Sequence, residues 1–173
     1  MFCKKTGTFD NIYIFFKCKD EPLFCYLADK SKETIEVHRN LEKLPALNDL
    51  NACKQTLIIF DDFISDLKKR PILSEHFIRG RKKSAFIMFL SQSYYNTPKI
   101  IRQNINYCII LKLGGSRDIN SILRDCSIGI SKEQWLYMFN EGTKKKFDTI
   151  IINLDKSGNE RYRMNFKNYF IIE

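Results

Sequence analysis

The amino-acid sequence predicts a three-layer α/β domain built on a mostly parallel sheet. Short apolar runs alternate along the chain with segments of helical period, the order of elements that such domains show. The runs are continuous in apolar character, which is typical of strands buried on both faces of a parallel sheet. With 173 residues but only 7 Gly and 4 Pro, the chain suits a single domain over residues 1–173 better than a turn-rich sandwich.

Five runs of β-branched and aromatic residues predict the main strands of this sheet. A shorter segment, Thr34–Arg39, predicts a more peripheral strand. The five main runs are Asn11–Lys17, Thr56–Asp61, Ser84–Ser91, Tyr107–Leu113 and Asp148–Leu154.

Six segments between these runs predict helices. Thr97 is predicted to be an N-cap, with Pro98 at the first helical position. Ser131 begins another helix, and Glu133 and Gln134 follow it near the position that completes a capping box. The six segments are residues 20–30, 62–70, 72–80, 97–104, 116–126 and 131–142.

The composition indicates a globular protein that attracts polyanions. Hydrophobic residues make up 44% of the chain and charged residues 28%, whereas disordered chains are poorer in apolar residues. The balance of 29 basic against 20 acidic residues gives a net charge of +9, which favours nucleic acid, nucleotides or acidic membrane surfaces. Because no apolar run approaches the length of a signal peptide or a membrane span, we expect an intracellular, soluble protein that is not secreted.

The cysteines predict neither a disulfide framework nor a zinc site. The sequence holds six cysteines but no CxxC pair, and only two histidines accompany them. We therefore expect free thiols in a reducing compartment. The cysteines are Cys3, Cys18, Cys25, Cys53, Cys108 and Cys126.

Two adjacent acids end the second main strand. Asp61 and Asp62 would lie at the carboxyl edge of a parallel sheet, which is where such sheets bind ligands. One carboxylate could hold Mg²⁺, directly or through water, and its neighbour could orient an attacking water. Alternatively, Asp62 caps the helix that begins at Phe63, and Asp61 lies in the turn.

The next strand ends in the polar residues Ser91, Gln92 and Ser93. The Gln92 amide could hydrogen-bond a water and a phosphate oxygen together; alternatively, these residues form an ordinary polar turn. Two basic segments flank the same strand, Arg79–Lys83 before it and residues 97–102 after it. Such clusters are usually solvated loops, yet guanidinium groups near a nucleotide stabilise charge during phosphoryl transfer.

These segments, taken in order and spacing, resemble those of a known family. The chain resembles the genome-packaging ATPases of large double-stranded DNA viruses, the poxvirus-type branch of the FtsK–HerA superfamily, which virophages and Polinton-like transposons share. The resemblance covers nearly the whole chain and is most specific over residues 56–104. It rests on Phe60-Asp-Asp, Arg79-Gly-Arg81, Phe89-Leu-Ser-Gln92-Ser-Tyr and Pro98-Lys-Ile-Ile-Arg102-Gln-Asn104, with Phe9-Asp-Asn-Ile-Tyr-Ile-Phe at the start and the segment from Phe147 to Phe166 at the end.

The resemblance implies a RecA-like P-loop NTPase core that couples ATP hydrolysis to translocation of viral double-stranded DNA into a capsid. It implies a homo-oligomeric ring with capsid proteins as partners, in the host cytoplasm (the viral factory) or in the virion. ATP and Mg²⁺ are the implied cofactors, with Asp61 as the Walker B acid that holds Mg²⁺ through water. The implied site residues are Asp62 as general base, Gln92 as sensor, Arg81 or Arg102 (with Arg79 as a third option) as the arginine acting in trans, and Arg79, Lys82 and Lys83 as nucleic-acid contacts.

One departure from the family pattern concerns the phosphate-binding loop. The 173 residues contain no GxxxxGK[ST] segment, because neither Gly7 nor the pair Gly114 and Gly115 is followed by Lys and Ser or Thr. We therefore expect a core that lacks its N-terminal strand, phosphate loop and helix. Such a core would bind ATP weakly and would expose a sheet edge and apolar surface.

Three explanations of this departure stay open. The loop is on another polypeptide; or the start codon is misplaced or the copy truncated; or the domain is a nonhydrolytic DNA-binding or ring-filling subunit. The alternative function is accordingly a noncatalytic basic DNA-binding module, or a truncated remnant of the ATPase. The net charge, the basic loops and aromatic residues such as Tyr94 and Tyr95 would suffice for DNA binding.

Overall fold

A computed structural model describes residues 8–17, 21–30, 34–67, 71–127 and 129–171. The predictions that concern Cys3, Cys18 and Asp20 lie outside the described residues. The chain divides into two compact units, Met1–Gln92 and Ser93–Glu173. The single domain over residues 1–173 stays a prediction.

The first unit contains a four-stranded, fully parallel sheet in the order β2-β1-β3-β4. Its register places Asp61, the last residue of β3, opposite Phe16 of β1 and Leu90 of β4. This sheet confirms the predicted α/β fold with a mostly parallel sheet. The strands are β1 (Asn11–Phe16), β2 (Ile35–His38), β3 (Thr56–Asp61) and β4 (Ala85–Leu90).

Helices cover both faces of this sheet through aromatic packing. On one face, the Phe77 ring lies 6.1 Å from that of Phe60 and 6.0 Å from that of Phe89. On the other face, the rings of Phe24 and Phe16 are 4.8 Å apart. The helices are α1 (Pro22–Lys30), which carries Phe24, α2 (Ile64–Leu67) and α3 (Pro71–Arg79), which carries Phe77, with 3₁₀ turns at Leu47–Asp49 and Gly80–Lys83.

The face that α1 covers is uneven. Phe86, Met88 and Leu90 of β4 point to this face and are 53%, 42% and 40% exposed. The Phe9 ring lies 5.4 Å from the Phe86 ring, while α1 packs over β1 and β2. The prediction that this run is buried on both faces is therefore wrong, because β4 is an edge strand of the described sheet and α1 lies over the other half.

The second unit contains an antiparallel sheet in the order β5-β6-β7-β8. The runs at 107–113 and 148–154 do form strands, but they pair with each other antiparallel rather than joining a parallel sheet. Apolar periodicity fixes which residues are buried and does not fix the direction of the partner strand. The strands are β5 (Tyr107–Ile110), β6 (Ile150–Asn153), β7 (Tyr162–Met164) and β8 (Asn168–Tyr169).

The helices of the second unit test two predicted caps. Ser131 accepts a hydrogen bond from the Gln134 N–H (3.1 Å), and the Gln134 side chain accepts one from the Ser131 N–H (2.8 Å), which confirms the capping box. The cap predicted at Thr97 is wrong: its hydroxyl donates to the Ser93 carbonyl (2.9 Å), and the helix begins after Pro98. The helices are α4 (Lys99–Arg102), α5 (Ser116–Cys126) and α6 (Lys132–Gly142), with a 3₁₀ turn at Gly158–Glu160.

Four cysteines lie in the described residues, and all four are free thiols. Cys25 and Cys53 are exposed, whereas Cys108 and Cys126 are buried. Across the same residues, no helix has both the length and the apolar character that a membrane span requires.

Candidate functional site

The carboxyl ends of β3 and β4 bring the predicted acids and Gln92 to one edge of the parallel sheet. Asp61 ends β3 opposite Leu90, the last residue of β4, and Gln92 follows Leu90 by two positions. The Asp62 N–H donates a hydrogen bond to the Leu90 carbonyl (3.3 Å), so the two strand ends stay joined beyond the sheet. The predicted neighbourhood of these three residues is therefore present in the first unit.

The environment of Asp61 disfavours its negative charge. Burial raises the pKa of the Asp61 carboxyl above its usual value, and the charges of Asp62 and Glu21 raise it further. Glu21 immediately precedes α1, and in the sequence its acidic character indicates only the start of a helix. Two neighbouring negative charges therefore act on the Asp61 carboxyl, and a cation bound beside Asp61 would offset their effect.

Asp62 has a backbone conformation that argues against a simple capping role. Its φ is 58°, in the left-handed region, whereas an N-cap residue is normally extended. Its side chain is exposed, and within the described residues no hydrogen bond engages its carboxylate. Aspartate tolerates the left-handed region better than most residues, but the conformation still costs energy, and such strain concentrates at functional sites.

Lys17 is a cation next to this edge that the sequence did not single out. Its ammonium donates to the Ser65 hydroxyl (2.6 Å) and lies 5.3 Å from the centroid of the Phe63 ring. Lys17 follows β1, and Phe63 follows the acid pair, so the carboxyl end of the sheet joins acidic and basic groups. Lys17 and Ser65 are 48 positions apart and meet only through folding, so their contact leaves no local signal in the sequence.

The acids fit one mode of Mg²⁺ binding and not another. Within the described ranges, no three acidic, histidine or cysteine side chains converge on a common point, so the protein residues form no complete metal cage. Mg²⁺ in nucleotide sites is commonly held by one or two carboxylates, waters and phosphate oxygens. Asp61 and Asp62 match that smaller set.

The basic turn lies at the opposite end of the same strands. The 3₁₀ turn Gly80–Lys83 leads into β4, and the Ser84 carbonyl accepts a hydrogen bond from the Thr56 N–H at the start of β3 (3.1 Å). Strands of this length rise roughly 16–20 Å, so this turn is far from Asp61 in the same chain. The Arg79 guanidinium pairs with Glu75 (2.9 Å), while across the described residues no carboxylate forms an ion pair with the exposed Arg81.

Arg102, in the second unit, is held by contacts inside that unit. Its guanidinium forms an ion pair with Asp125, its Nε donates to the Thr97 carbonyl (3.0 Å), and it lies 5.3 Å from the centroid of the Tyr94 ring. Its side chain is only 11% exposed. These contacts stabilise the second unit and leave little of the guanidinium accessible to a neighbouring molecule.

The sequence model of the family described as Poxvirus A32 protein matches residues 16–167. The chain belongs to the poxvirus A32 protein family. Its matched range includes Asp61, Asp62, Gln92, the basic turn and Arg102, so the candidate site lies within the part that defines membership of the A32 family. Among curated proteins, no sequence matches the chain.

Solved structures similar to this A32 family member share its fold. The genome packaging NTPase B204 from Sulfolobus turreted icosahedral virus 2, in complex with ATP-gammaS, has a TM-score of 0.57 and 14% identity over 90% of this chain and 96% of its own. The complex of the same protein with AMPPCP has a TM-score of 0.59 and 13% identity, and the match covers 95% of this chain and 98% of that one. B204 from Sulfolobus Turreted Icosahedral Virus, a DNA-packaging ATPase, has a TM-score of 0.64 and 14% identity. The match covers 94% of this chain and 83% of that one.

Proposed function

We propose that this chain is an ATP-hydrolysing subunit of a machine that moves viral double-stranded DNA into a capsid. Membership of the A32 family supports this proposal, as does the fold shared with B204, whose structures include complexes with ATP-gammaS and AMPPCP. The observation that carries it is the strained, acidic edge formed by Asp61 and Asp62 beside Gln92. The machine acts in the viral factory of the host cytoplasm or in the virion.

Asp61 and Asp62 divide the chemistry of this edge. Asp61 holds Mg²⁺ through water, and the ion, when bound, neutralises charge on the phosphate oxygens. Asp62 accepts the proton of the attacking water, because its carboxylate is exposed and not engaged by the helix that follows. Gln92, on the neighbouring strand end, hydrogen-bonds the terminal phosphate and transmits its loss to the protein.

The arginine of the reaction comes from a neighbouring subunit, and we assign this role to Arg81. In its own chain, Arg81 lies at the amino end of the sheet, roughly 16–20 Å along the strands from Asp61. The contacts of Arg102 and the pairing of Arg79 with Glu75 leave Arg81 as the arginine best placed to reach another molecule. A homo-oligomeric ring, with capsid proteins as further partners, supplies that neighbour.

The basic turn also binds the DNA that the machine moves. Arg79 ends α3, and Lys82 and Lys83 lie on the 3₁₀ turn that follows it; Ser84, directly after this turn, accepts a hydrogen bond from the Thr56 N–H and donates one to the Ala52 carbonyl. Within the described residues, no hydrogen bond or ion pair engages the Lys82 and Lys83 side chains, whereas Arg79 would bind phosphate in place of, or in addition to, its exposed pair with Glu75. Contacts of this kind are independent of DNA sequence and weaken as salt rises.

The phosphate loop comes from a segment outside these 173 residues. The outer edge of β4 and the exposed apolar side chains of Phe86, Met88 and Leu90 suit an additional strand and a helix packed beside it. The phosphate-binding motif GxxxxGK[ST] lies between such a strand and such a helix. Reading the coding DNA upstream of Met1 in frame, and the other proteins of the same genome, for such a segment tests this part directly.

Calorimetric titration with Mg-ATP tests whether the chain alone is sufficient for nucleotide binding. We expect weak binding by the chain and tighter binding once a GxxxxGK[ST] segment is added in trans. A micromolar dissociation constant for the chain alone would contradict the proposed need for that segment.

A second candidate function is a noncatalytic DNA-binding module, which the lack of a GxxxxGK[ST] segment in the sequence favours. Asp62→Asn separates the two functions when hydrolysis is measured with the GxxxxGK[ST] segment supplied, with the exposed Asp49 of the 3₁₀ turn Leu47–Asp49 changed to Asn as the matched control. The ATPase is supported if Asp62→Asn abolishes DNA-dependent hydrolysis and Asp49→Asn does not. The DNA-binding module is supported if DNA binding is sensitive to salt and neither substitution changes hydrolysis.

A further inference from the structure

Two loops of the second unit display phenylalanine rings to solvent. Phe147 lies between α6 and β6, and Phe166 lies between β7 and β8; their exposed fractions are 75% and 74%. The aromatic–lysine surface is defined here as residues 144–147 and 166–167. Two large apolar rings this exposed on neighbouring loops indicate a binding surface.

Hydrogen bonds hold the two loops side by side. The Asn165 N–H donates to the Thr149 carbonyl (2.8 Å), and the Thr149 N–H donates to the Asn165 side-chain oxygen (2.9 Å). The Asn165 amide also donates to the Asp148 carboxylate (3.2 Å), which accepts in addition from the Lys145 N–H (3.2 Å). The positions of Phe147 and Phe166 are therefore fixed by a shared frame that uses neither ring.

The backbone at Phe147 is strained, and packing does not compensate for the strain. Its φ is 71°, a left-handed conformation that is unfavourable for a bulky aromatic residue. A phenyl ring could offset that cost by burial, but this ring is three-quarters exposed. A strained backbone at an exposed aromatic side chain favours a role in binding.

The charge around the rings is positive. Lys144, Lys145, Lys146 and Lys167 are all exposed, and the Lys146 ammonium lies 5.0 Å from the centroid of the Phe147 ring. Glu141 pairs with Lys144 (3.4 Å), while Asp148 is occupied by the hydrogen bonds of the loop frame. The surface therefore complements a polyanion that also offers flat apolar faces.

We propose that the aromatic–lysine surface binds single-stranded DNA. Unpaired bases stack on Phe147 and Phe166, and the lysines lie near the phosphates, the combination by which proteins bind single strands without sequence preference. Duplex DNA offers the same phosphates, but its bases are already stacked on each other. A contact of this kind suits a frayed end or a gap in the DNA, and it does not depend on ATP hydrolysis.

Fluorescence anisotropy with the full chain and a labelled oligothymidylate of about 15 nucleotides tests the proposal. The double variant Phe147→Ala/Phe166→Ala should bind the single strand at least tenfold more weakly and a duplex of the same length unchanged. Tyr137→Ala, which removes a 67% exposed ring from α6, is the matched control and should change neither affinity. Equal binding of both DNAs, unaffected by the double variant, would overturn the proposal.

A second variant keeps the test independent of folding defects. Phe147→Gly should keep or raise the midpoint of thermal unfolding, because glycine adopts a positive φ without steric cost, while single-strand affinity falls. Phe147→Trp, which retains a stacking face, should retain the affinity. If Phe147→Gly binds the single strand as tightly as the unchanged chain, or if the chain binds no oligonucleotide, the proposal is wrong. These measurements contain no nucleoside triphosphate. A negative result for single-stranded DNA binding would therefore not contradict the proposed ATPase function.

Discussion

The carboxyl end of β3 and the amino end of β4, in the first unit, differ in their charged residues. The carboxyl end of β3 bears Asp61 and Asp62, with Glu21 influencing them, whereas the amino end of β4 bears Arg81 and its basic neighbours. Arg81 precedes Gln92 by only eleven positions, yet a whole strand separates them. An acidic site and a basic turn at opposite ends of one strand pair can meet only between two copies of the chain. The proposed joint action of this site and this turn therefore requires two copies of the chain in a head-to-tail arrangement.

The largest effect is expected when the basic turn of one subunit can no longer act on the acidic site of its neighbour. With the GxxxxGK[ST] segment supplied, Arg81→Ala should lower DNA-stimulated ATP hydrolysis by about 10³-fold, the range that arginines acting in trans supply. Mixing Arg81→Ala subunits with Asp62→Asn subunits should restore part of the activity, because some interfaces then combine an intact acid with an intact arginine. Failure of mixed rings to recover any activity would contradict action in trans.

Substitution of Asp62, at the carboxyl end of β3, should have the next largest effect on ATP hydrolysis. Asp62→Asn should lower the maximal rate of hydrolysis by at least about 10²-fold with little change in the Michaelis constant, because a general base acts in the chemical step. Steady-state kinetics with saturating DNA and with the GxxxxGK[ST] segment supplied measure both values, and Asp49→Asn controls for loss of an exposed acid elsewhere. An equal loss in both variants would mean that net charge, not proton transfer, is responsible.

The basic end should govern the salt dependence of duplex binding. Lys82→Ala/Lys83→Ala should lower duplex affinity about tenfold at physiological salt, and the slope of log affinity against log salt should fall by about 0.9 for each phosphate that the variant no longer neutralises. Binding titrations at several salt concentrations measure the slope. Lys54→Ala and Lys99→Ala, which remove exposed lysines outside this turn, serve as controls.

The smallest effect concerns the stability of the acidic end. The pKa of Asp61 is raised in the folded chain, so ionisation of Asp61 opposes folding once the pH exceeds the unfolded value of 3.8. Asp61→Asn should therefore raise the unfolding midpoint at neutral pH, by less than roughly 4 °C, the shift that about 1 kcal/mol gives in a chain of this size. Thermal melts should show the advantage shrinking as the pH falls towards 3.8; a lower midpoint for the variant at neutral pH would contradict this.

Part of the candidate site was predictable because it depends on one strand and its end. The acids of β3 and the polar residues after β4 follow apolar runs directly, and parallel strands place their carboxyl ends together. Glu21 and Lys17 were not singled out, because their proximity to this edge arises from other strands and helices. The left-handed conformation of Asp62 likewise has no local signature.

The sequence by itself determined the α/β class, the positions of the main strands, the capping box at Ser131 and the family to which the chain belongs. The first three follow from local residue type or spacing, and the family follows from the resemblance of the chain's segments to those of its known members. Only the tertiary structure decided that β5 and β6 pair antiparallel, that one face of β4 is uncovered and that the loops of Phe147 and Phe166 are joined by hydrogen bonds. The physical reason is that strand direction, helix placement and loop adjacency depend on contacts between distant segments, which no local pattern encodes.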